Sequence, residues 1–336
     1  MADHATRQGR DPSPVEAAAL LINRYEAAIK EVQWLDVENA LQRVADIRFR
    51  LNEPIRISFV GTFSVGKSSI INSLLGEPIA PVAVRPTTAV ICYFRYSDST
   101  RVRFHFRDGH VEDEGLFAYQ RFSDHAKLSE NEIRRIRQMS HVEVFYPNEI
   151  LRDVILVDTP GFGSTAEADD AITEGHLREA DAVCWVFDAT QLGRGDEVKR
   201  INAMAHRFRK GATFAVINKS DEIAPSERPA LKARAAELFN RLFDETFLYS
   251  AVLALDAADA GTSDHLEFAL KNKIRQQVEE NSDRLRAQRA AFSLAELADN
   301  DLEVLAAIDG SYLHIEEWVA DVFKPLVGEQ IDGLIT

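Results

Sequence analysis

The stretch Gly61-Thr62-Phe63-Ser64-Val65-Gly66-Lys67-Ser68-Ser69 stands between the run IRISFV at 55–60 and the run IINSLL at 70–75. No other feature restricts the fold of this chain so tightly. The first run reads as a strand and the second as the opening of a helix. Glycines at both ends of the connecting loop let successive backbone N–H groups point inward, and the helix N-terminus adds favourable dipole charge. A loop of this spacing, in a strand–loop–helix setting, cradles phosphate. Gly61, Ser64, Val65, Gly66, Lys67, Ser68 and Ser69 are the candidate phosphate-binding residues. Lys67 is placed to reach the β- and γ-phosphates, and the Ser68 hydroxyl to ligate Mg²⁺.

Three later segments identify the nucleotide. ILVDTPG at 155–161 sets Asp158 at the end of an apolar strand, where it can hold the Mg²⁺ shell through water, and the Gly161 N–H can meet the γ-phosphate. VINKSD at 216–221 again ends a strand, with Asn218, Lys219 and Asp221. The Asp221 carboxylate can accept from guanine N1–H and from its exocyclic amine. Adenine offers an acceptor at N1 and no amine at C2, and sites built on polar complementarity discriminate strongly. The Lys219 stem can lie across the base. In YSA at 249–251, the Ser250 and Ala251 backbone can contact guanine O6. Each segment alone could be an ordinary turn or polar loop. Together, at successive strand ends where open α/β sheets bind ligands, they point to GTP as substrate and GDP as product.

The surrounding pattern fits. Strands are expected at 55–60, 89–96, 101–106, 141–147, 153–158, 182–188, 213–218 and 246–250. A further short strand should follow the Asp108-Gly109 hairpin signal. Helical segments are expected near 68–75, 129–139, 170–179, 195–208 and 226–242. Continuous apolar runs alternating with helices predict an α/β fold, a P-loop domain with a mainly parallel sheet and one antiparallel edge near 100–113. Flanking helices are expected on both sides. Ser13-Pro14-Val15-Glu16 reads as a capping box opening the first, a second starts near 36, and Asn52-Glu53-Pro54 ends it. Asp264 opens a helix continuing past Leu285, a second helical stretch covers roughly 294–308, and a third runs 312–331 with a kink at Pro325. The expected division is a disordered tail at 1–12, N-terminal helices at 13–52, a GTPase domain at 53–260 and a C-terminal helical region at 261–336.

Composition bounds the partners. The formal net charge of −15 argues against a general nucleic-acid binder, which needs clustered Lys and Arg. Cys92 and Cys184 lie in apolar runs and read as small buried hydrophobes. The polar N-terminus lacks a secretory pattern. No run approaches the roughly 20 apolar residues of a membrane span. The cytoplasm is the default location, with any membrane contact peripheral to its inner face.

Residues 55–255 resemble a translation-factor-type GTPase domain, closest to the bacterial dynamin-like proteins. The resemblance rests on GTFSVGKSSIINSLLGEPIAPVAVRPTTAV, on VEVFYPNEILRDVILVDTPGFGS and on NKSD, together with the long insert between PTTAV and DTPG. It implies GTP hydrolysis with Mg²⁺ held by Ser68, Thr88 and Asp158. Thr88 would be the switch threonine on the metal and the attacking water, with Thr87 the alternative register. Lys67, Ser64, Thr88 and Gly161 form the catalytic set. Small signalling GTPases carry a water-orienting Gln where this chain has Phe162, and animal dynamins carry one where it has Phe63. Intrinsic hydrolysis is therefore expected to be slow. The family completes its site by dimerising across the nucleotide face, with a monovalent cation, K⁺ or Na⁺, at the position matched by Ser64. Arg85 and Arg194 lie in loops near that face and read first as solvated. His110, His125 and His176 show no ligand pairing.

In the family, helices before and after the GTPase domain form a bundle that relays nucleotide state to a stalk with a membrane-binding tip. The helices at 14–51 and 264–290 fit such a bundle. The chain stops at Thr336, so the resemblance implies a truncated relative or a fragment. The terminal stretch is amphipathic, with Leu313, Trp318, Val322, Phe323 and Leu326 near one side. Its polar face is acidic where a membrane-surface helix is basic, which favours core or oligomer contact. The expected function is a self-association-stimulated, dynamin-like GTPase acting as a homodimer or higher oligomer, with a role in membrane remodelling. The alternative is a GTP-dependent switch acting on a protein or ribosomal partner.

Overall fold

The computed structural model describes residues 12–31, 37–82, 90–123, 128–161, 180–193, 199, 201, 213–239, 242–259 and 265–308. The chain divides into two compact units, residues 54–280, and residues 1–53 together with 281–336.

The larger unit is built on a sheet. Nine strands are described: β1 (Ile55–Val60), β2 (Ile91–Tyr96), β3 (Arg101–Phe106), β4 (Val111–Glu114), β5 (Met139–Tyr146), β6 (Val154–Asp158), β7 (Ala182–Asp188), β8 (Thr213–Asn218) and β9 (Glu245–Leu248). Their spatial order is β4-β3-β5-β2-β6-β1-β7-β8-β9. From β6 through β9 every pairing is parallel. Val60, Trp185, Phe187, Ala215 and Ile217 are buried within one core cluster, as strands covered on both faces require. The antiparallel part contains the expected hairpin of β3 and β4 and reaches further inward. β2 runs antiparallel to β6, β5 lies parallel to β2, and β3 lies antiparallel to β5.

Short helices complete this unit. α1 and α2 belong to the other unit, at Pro14–Glu31 and Val37–Leu51. In the sheet unit α3 (Lys67–Leu75) follows the glycine loop and buries Ile70, Ile71, Leu74 and Leu75. It stops at Gly76, in the left-handed region at φ 75°, whose N–H bonds the Ser73 carbonyl. α4 (Leu116–Gln120) and α5 (Glu130–Gln138) lie in the insert between β4 and β5, and Ser129 and Glu132 form a reciprocal capping box on α5. α6 (Arg228–Phe239) and α7 (Ala251–Asp259) flank β9 in sequence. The helices expected near 170–179 and 195–208 fall largely outside the described residues.

The smaller unit is helical. The Ser13 backbone N–H donates to Glu16 and the Glu16 N–H to the Ser13 hydroxyl, so the expected cap opens α1. Ala18, Leu21, Ile22, Tyr25 and Ile29 of α1 pack with Ala40, Val44, Ile47 and Leu51 of α2. They share one core with Ala287, Ala290, Ala291, Leu294, Leu297 and Ala298 of α8 (His265–Ile308). Arg289 closes the cluster by donating to the backbone carbonyls of Arg50 and Glu53. The sequence pattern predicts two helical stretches where the structure has the single helix α8. The alanines at 287, 290 and 291 carry its buried face where large apolar residues are missing. The stretch at 312–331, and the tail at 1–11, lie outside the described residues.

Candidate nucleotide site

A cavity of about 490 Å³ opens at the C-terminal ends of β1, β6 and β8. Its lining includes Ser64, Gly66, Lys67, Ser68, Ser69, Asp158, Gly161, Asn218, Lys219, Asp221 and Ala251. Residues from four separate sequence segments therefore meet in one place.

The glycine loop folds around Lys67. Its Nζ donates to the carbonyls of Gly61 and Thr62, both at 3.1 Å. Burial lowers the lysine pKa to about 8, and the charge of Asp158 restores part of the loss. Asp158 shifts the opposite way: burial raises its carboxyl, against the pull of Lys67 and a hydrogen bond from Ser68. That bond, Ser68 Oγ to Asp158 Oδ2, spans 2.5 Å. The desolvated cation and the desolvated carboxylate offset only part of each other's burial cost. A phosphate beside Lys67, and a divalent cation on the Ser68 hydroxyl whose water shell meets Asp158, would complete the balance. The donor set, a hydroxyl and a carboxylate, is one that Mg²⁺ takes.

The loop is also shaped by exclusion. Gly66 sits at φ +93°, and a Cβ there would lie 2.2 Å from Asn218 Nδ2. At Gly161 a Cβ would meet Cα and N of Phe63 at 2.8 Å, so the loop after β6 and the loop before α3 touch backbone to backbone. Ser64 takes a left-handed conformation at φ 66° without being glycine, a strained state that clusters at ligand sites.

The residues that follow β7 and β8 form a braced set. Asn218 Nδ2 donates to the Val65 carbonyl at 2.9 Å, while Oδ1 accepts from the Ala251 N–H at 3.0 Å. Lys219, at φ 63°, pairs through Nζ with Asp188 Oδ2 at 2.5 Å. Asp188 also accepts from the Thr190 backbone and hydroxyl. Burial pushes the Asp188 carboxyl up, but the bonds from Lys219 and Thr190 outweigh it and hold the pKa below the ordinary value. Asp221 is exposed at the cavity wall. Ser250 is buried, and its hydroxyl accepts from Leu253 N–H as the cap of α7.

Sequence reasoning missed Asp188 and Thr190. The signal was available, because Asp188 ends an apolar strand as Asp158 and Asn218 do. It also gave Asn218 no physical task, whereas the structure makes it the tie between two loops. Thr87, Thr88, Arg85, Phe162, Arg194, His125 and His176 lie outside the described residues. His110 pairs with Glu112 at 3.1 Å, away from the cavity lining.

Comparison with known proteins agrees with this fold. The model of the Dynamin family matches residues 57–220, from β1 through Asn218 and Lys219. This chain belongs to the dynamin family. Dynamin-like protein 2 of Campylobacter jejuni is 27% identical over 225 residues, covering 66% of this chain and 34% of that protein. The isoniazid-induced protein IniC of Mycobacterium tuberculosis is 28% identical over 309 residues, covering 87% of this chain and 59% of that protein. This dynamin-family chain thus spans about a third to three-fifths of those curated relatives. A solved bacterial dynamin pair, described as oligomerised and as sensing and tethering membranes over long range, superposes with a TM-score of 0.63 at 21% identity. That match covers 90% of this chain and 47% of the other, and it speaks to the fold alone. Among the described residues of this dynamin-family chain, no helix is long and apolar enough to cross a membrane.

Proposed function

We propose that the protein binds GTP with Mg²⁺ and hydrolyses it to GDP and phosphate. The observation that carries this reading is the meeting of Lys67, Ser68, Asp158, Asn218, Lys219 and Asp221 around one cavity. In the proposed complex, Lys67 leaves the Gly61 and Thr62 carbonyls for the β- and γ-phosphates. Ser68 ligates the metal directly, and Asp158 orients its water shell. The Mg²⁺ that Ser68 and Asp158 would hold would supply charge neutralisation for the phosphates. The Gly161 N–H meets the γ-phosphate, Asp221 selects guanine, and the Lys219 stem covers the base while Asp188 holds its ammonium. Ser250 and Ala251 close the site on the O6 side, and Thr88 completes the metal shell from the segment following Val82.

No described side chain lining the cavity is placed as a Gln that orients water, and Phe63 at the loop apex is apolar. The reading therefore includes completion of the site by a second copy of the chain across the nucleotide face, with K⁺ or Na⁺ held near Ser64. Exposed apolar side chains around the cavity support it: Phe63 is 44% exposed, Val82 45% and Val252 60%. These three side chains border the cavity and would offer apolar surface to a second copy. The proposed setting is the cytoplasm, at the periphery of a membrane that the oligomer remodels, and the support for that is family membership.

The test is GTP turnover per molecule against protein concentration in K⁺, Na⁺ and a large inert cation. A rate per molecule that climbs with concentration and depends on the small cation is expected. A slow, flat rate would leave a GTP-dependent switch awaiting a separate activator. Equal turnover in all three salts would remove the cation.

A further inference from the structure

The antiparallel part of the sheet has two unlike faces. Along β3, Val102, Phe104 and Phe106 are buried, and Phe104 stacks on Phe122 just after α4. The alternating residues Arg101, Arg103 and His105 point to the opposite face. On β5 the same face carries His141 and Glu143, because His105 pairs with His141 and Arg103 with Glu143.

His105, His141 and Glu143 come together there. Their rings and carboxylate bring one nitrogen from each histidine and one carboxylate oxygen within 4.8 Å of one another. The two imidazoles stack in parallel, centroids 4.1 Å apart and planes 12° apart. His105 Nε2 is 2.9 Å from Glu143 Oε2.

A bulge sets this geometry. The register passes from His105 opposite His141 to Phe106 opposite Met139, which leaves Ser140 as the extra residue. The Ser140 hydroxyl lies 3.1 Å from the His105 carbonyl and 3.1 Å from His141 Nδ1. A carbonyl only accepts, so the single hydroxyl proton goes to His105 O. Toward His141 the serine oxygen must then accept, which puts the proton on Nδ1 and the lone pair on Nε2. A histidine held through its other nitrogen is the arrangement metal sites use to fix tautomer and ring direction.

We propose that His105, His141 and Glu143 bind a divalent transition-metal ion of the zinc type, with water in the fourth position. Two imidazoles and a carboxylate are a three-ligand set that leaves one tetrahedral position open. Imidazole ligands favour Zn²⁺, Cu²⁺ or Ni²⁺ over the hard cations that suit Ser68 and Asp158. The ion replaces the His105–Glu143 hydrogen bond and that pair separates to about 3.3 Å to span a tetrahedral edge, while the His105 ring turns out of the stack so that its in-plane lone pair converges with that of His141. The side chains of His105 and Glu143 are 23% and 16% exposed, which leaves an entry path from solvent.

Two arginines face the site. Arg95 of β2 lies 2.9 Å from Glu143 Oε1. It orients the carboxylate and leaves Oε2 as ligand, while its charge opposes a cation. Arg103 of β3 pairs with Asp113 of β4 through two bonds, at 2.7 and 3.0 Å, which sets an opposite charge against it. From β2 as well, Tyr93 sets its ring edge against His141 at 5.5 Å. The site links β3 to β5, and it is separate from the nucleotide cavity, whose lining contains none of its three ligands.

The experiment is a calorimetric titration of the EDTA-treated full chain with Zn²⁺ alone, in excess Mg²⁺ to occupy the nucleotide site. One equivalent should bind. His105→Asn and His141→Asn should each weaken it at least tenfold, and Ser140→Ala by about tenfold through the lost positioning bond. Arg95→Gln should tighten it, and His110→Asn should leave it unchanged. Failure of the wild type to take up Zn²⁺, or equal uptake by the histidine variants, would overturn the proposal. A measurement free of variants stands beside it: Zn²⁺ must shift the imidazole NMR signals of His105 and His141 and spare that of His110. Shifts confined to other rings would equally overturn it.

Discussion

The side-chain amide of Asn218 donates to the carbonyl of Val65 across 2.9 Å, tying the end of β8 to the loop before α3. The other end of the same amide accepts from Ala251 N–H. Asn218→Ala leaves both backbone groups buried without this partner, at a cost of about 1–3 kcal/mol for each unsatisfied group. We expect urea unfolding to register a loss of about 2–4 kcal/mol, and a labelled guanine nucleotide to dissociate faster. An unchanged unfolding midpoint would show that the brace carries no weight.

Gly66 and Gly109 separate conformational strain from collision. Both lie in the left-handed region, at φ +93° and +87°, but a Cβ at Gly109 meets nothing within 4 Å. Gly109→Ala should cost only about 1 kcal/mol and keep nucleotide affinity. Gly66→Ala adds a clash with Asn218 Nδ2 and should abolish measurable GTP binding. Parallel thermal melts and nucleotide titrations distinguish the two, and comparable binding by both variants would contradict the fit.

Asp221 is the proposed reader of the base. Asp221→Asn replaces two acceptor oxygens by one acceptor and one donor, which no longer match guanine N1–H and amine but do match xanthine. GTP affinity should fall on the order of 10²–10⁴-fold, and XTP should bind better than GTP. Retained preference for GTP would move base recognition elsewhere.

The Lys219–Asp188 pair gives a pH dependence with a defined sign. Partners hold the Asp188 pKa below the ordinary aspartate value. Its contribution to stability is therefore fully present above the unfolded value of about 3.9 and is lost as pH falls through the folded one. Asp188→Asn should be less stable than the wild type at pH 6, and the gap should close as pH drops below about 4. Urea unfolding at a series of pH values reads this directly, and a gap independent of pH would assign the loss to packing.

Much of the candidate site was legible because the residues that line its cavity are fixed by chemistry at short range. Lys67, Ser68 and Asp158 each occupy the position that strand ends and a glycine loop demand. Strand order was not legible: nothing in IRISFV or ICYFRY says that β2 will run antiparallel to β6 inside the sheet. Short α7 was missed because AVLAL after YSA reads equally as a strand tail. The continuity of α8 was missed for a different reason. Its buried face over 287–291 is made of alanines, which pack well against α1 and α2 but leave no large apolar stripe to detect. The metal-type cluster is the clearest long-range case, since His105 and Glu143 are 38 residues apart and meet only through strand pairing.

The contact between Gly161 and Phe63 has a mechanical meaning. Side chains absorb small displacements by changing rotamer, but at this point no side chain stands between the loop after β6 and the loop before α3. Two main chains in van der Waals contact have little compliance. A few tenths of an ångström of movement in one is passed to the other undiminished. The pair acts as a feeler gauge set to the thickness of a peptide backbone, so that in the proposed GTP complex a shift of either loop would be felt by the other.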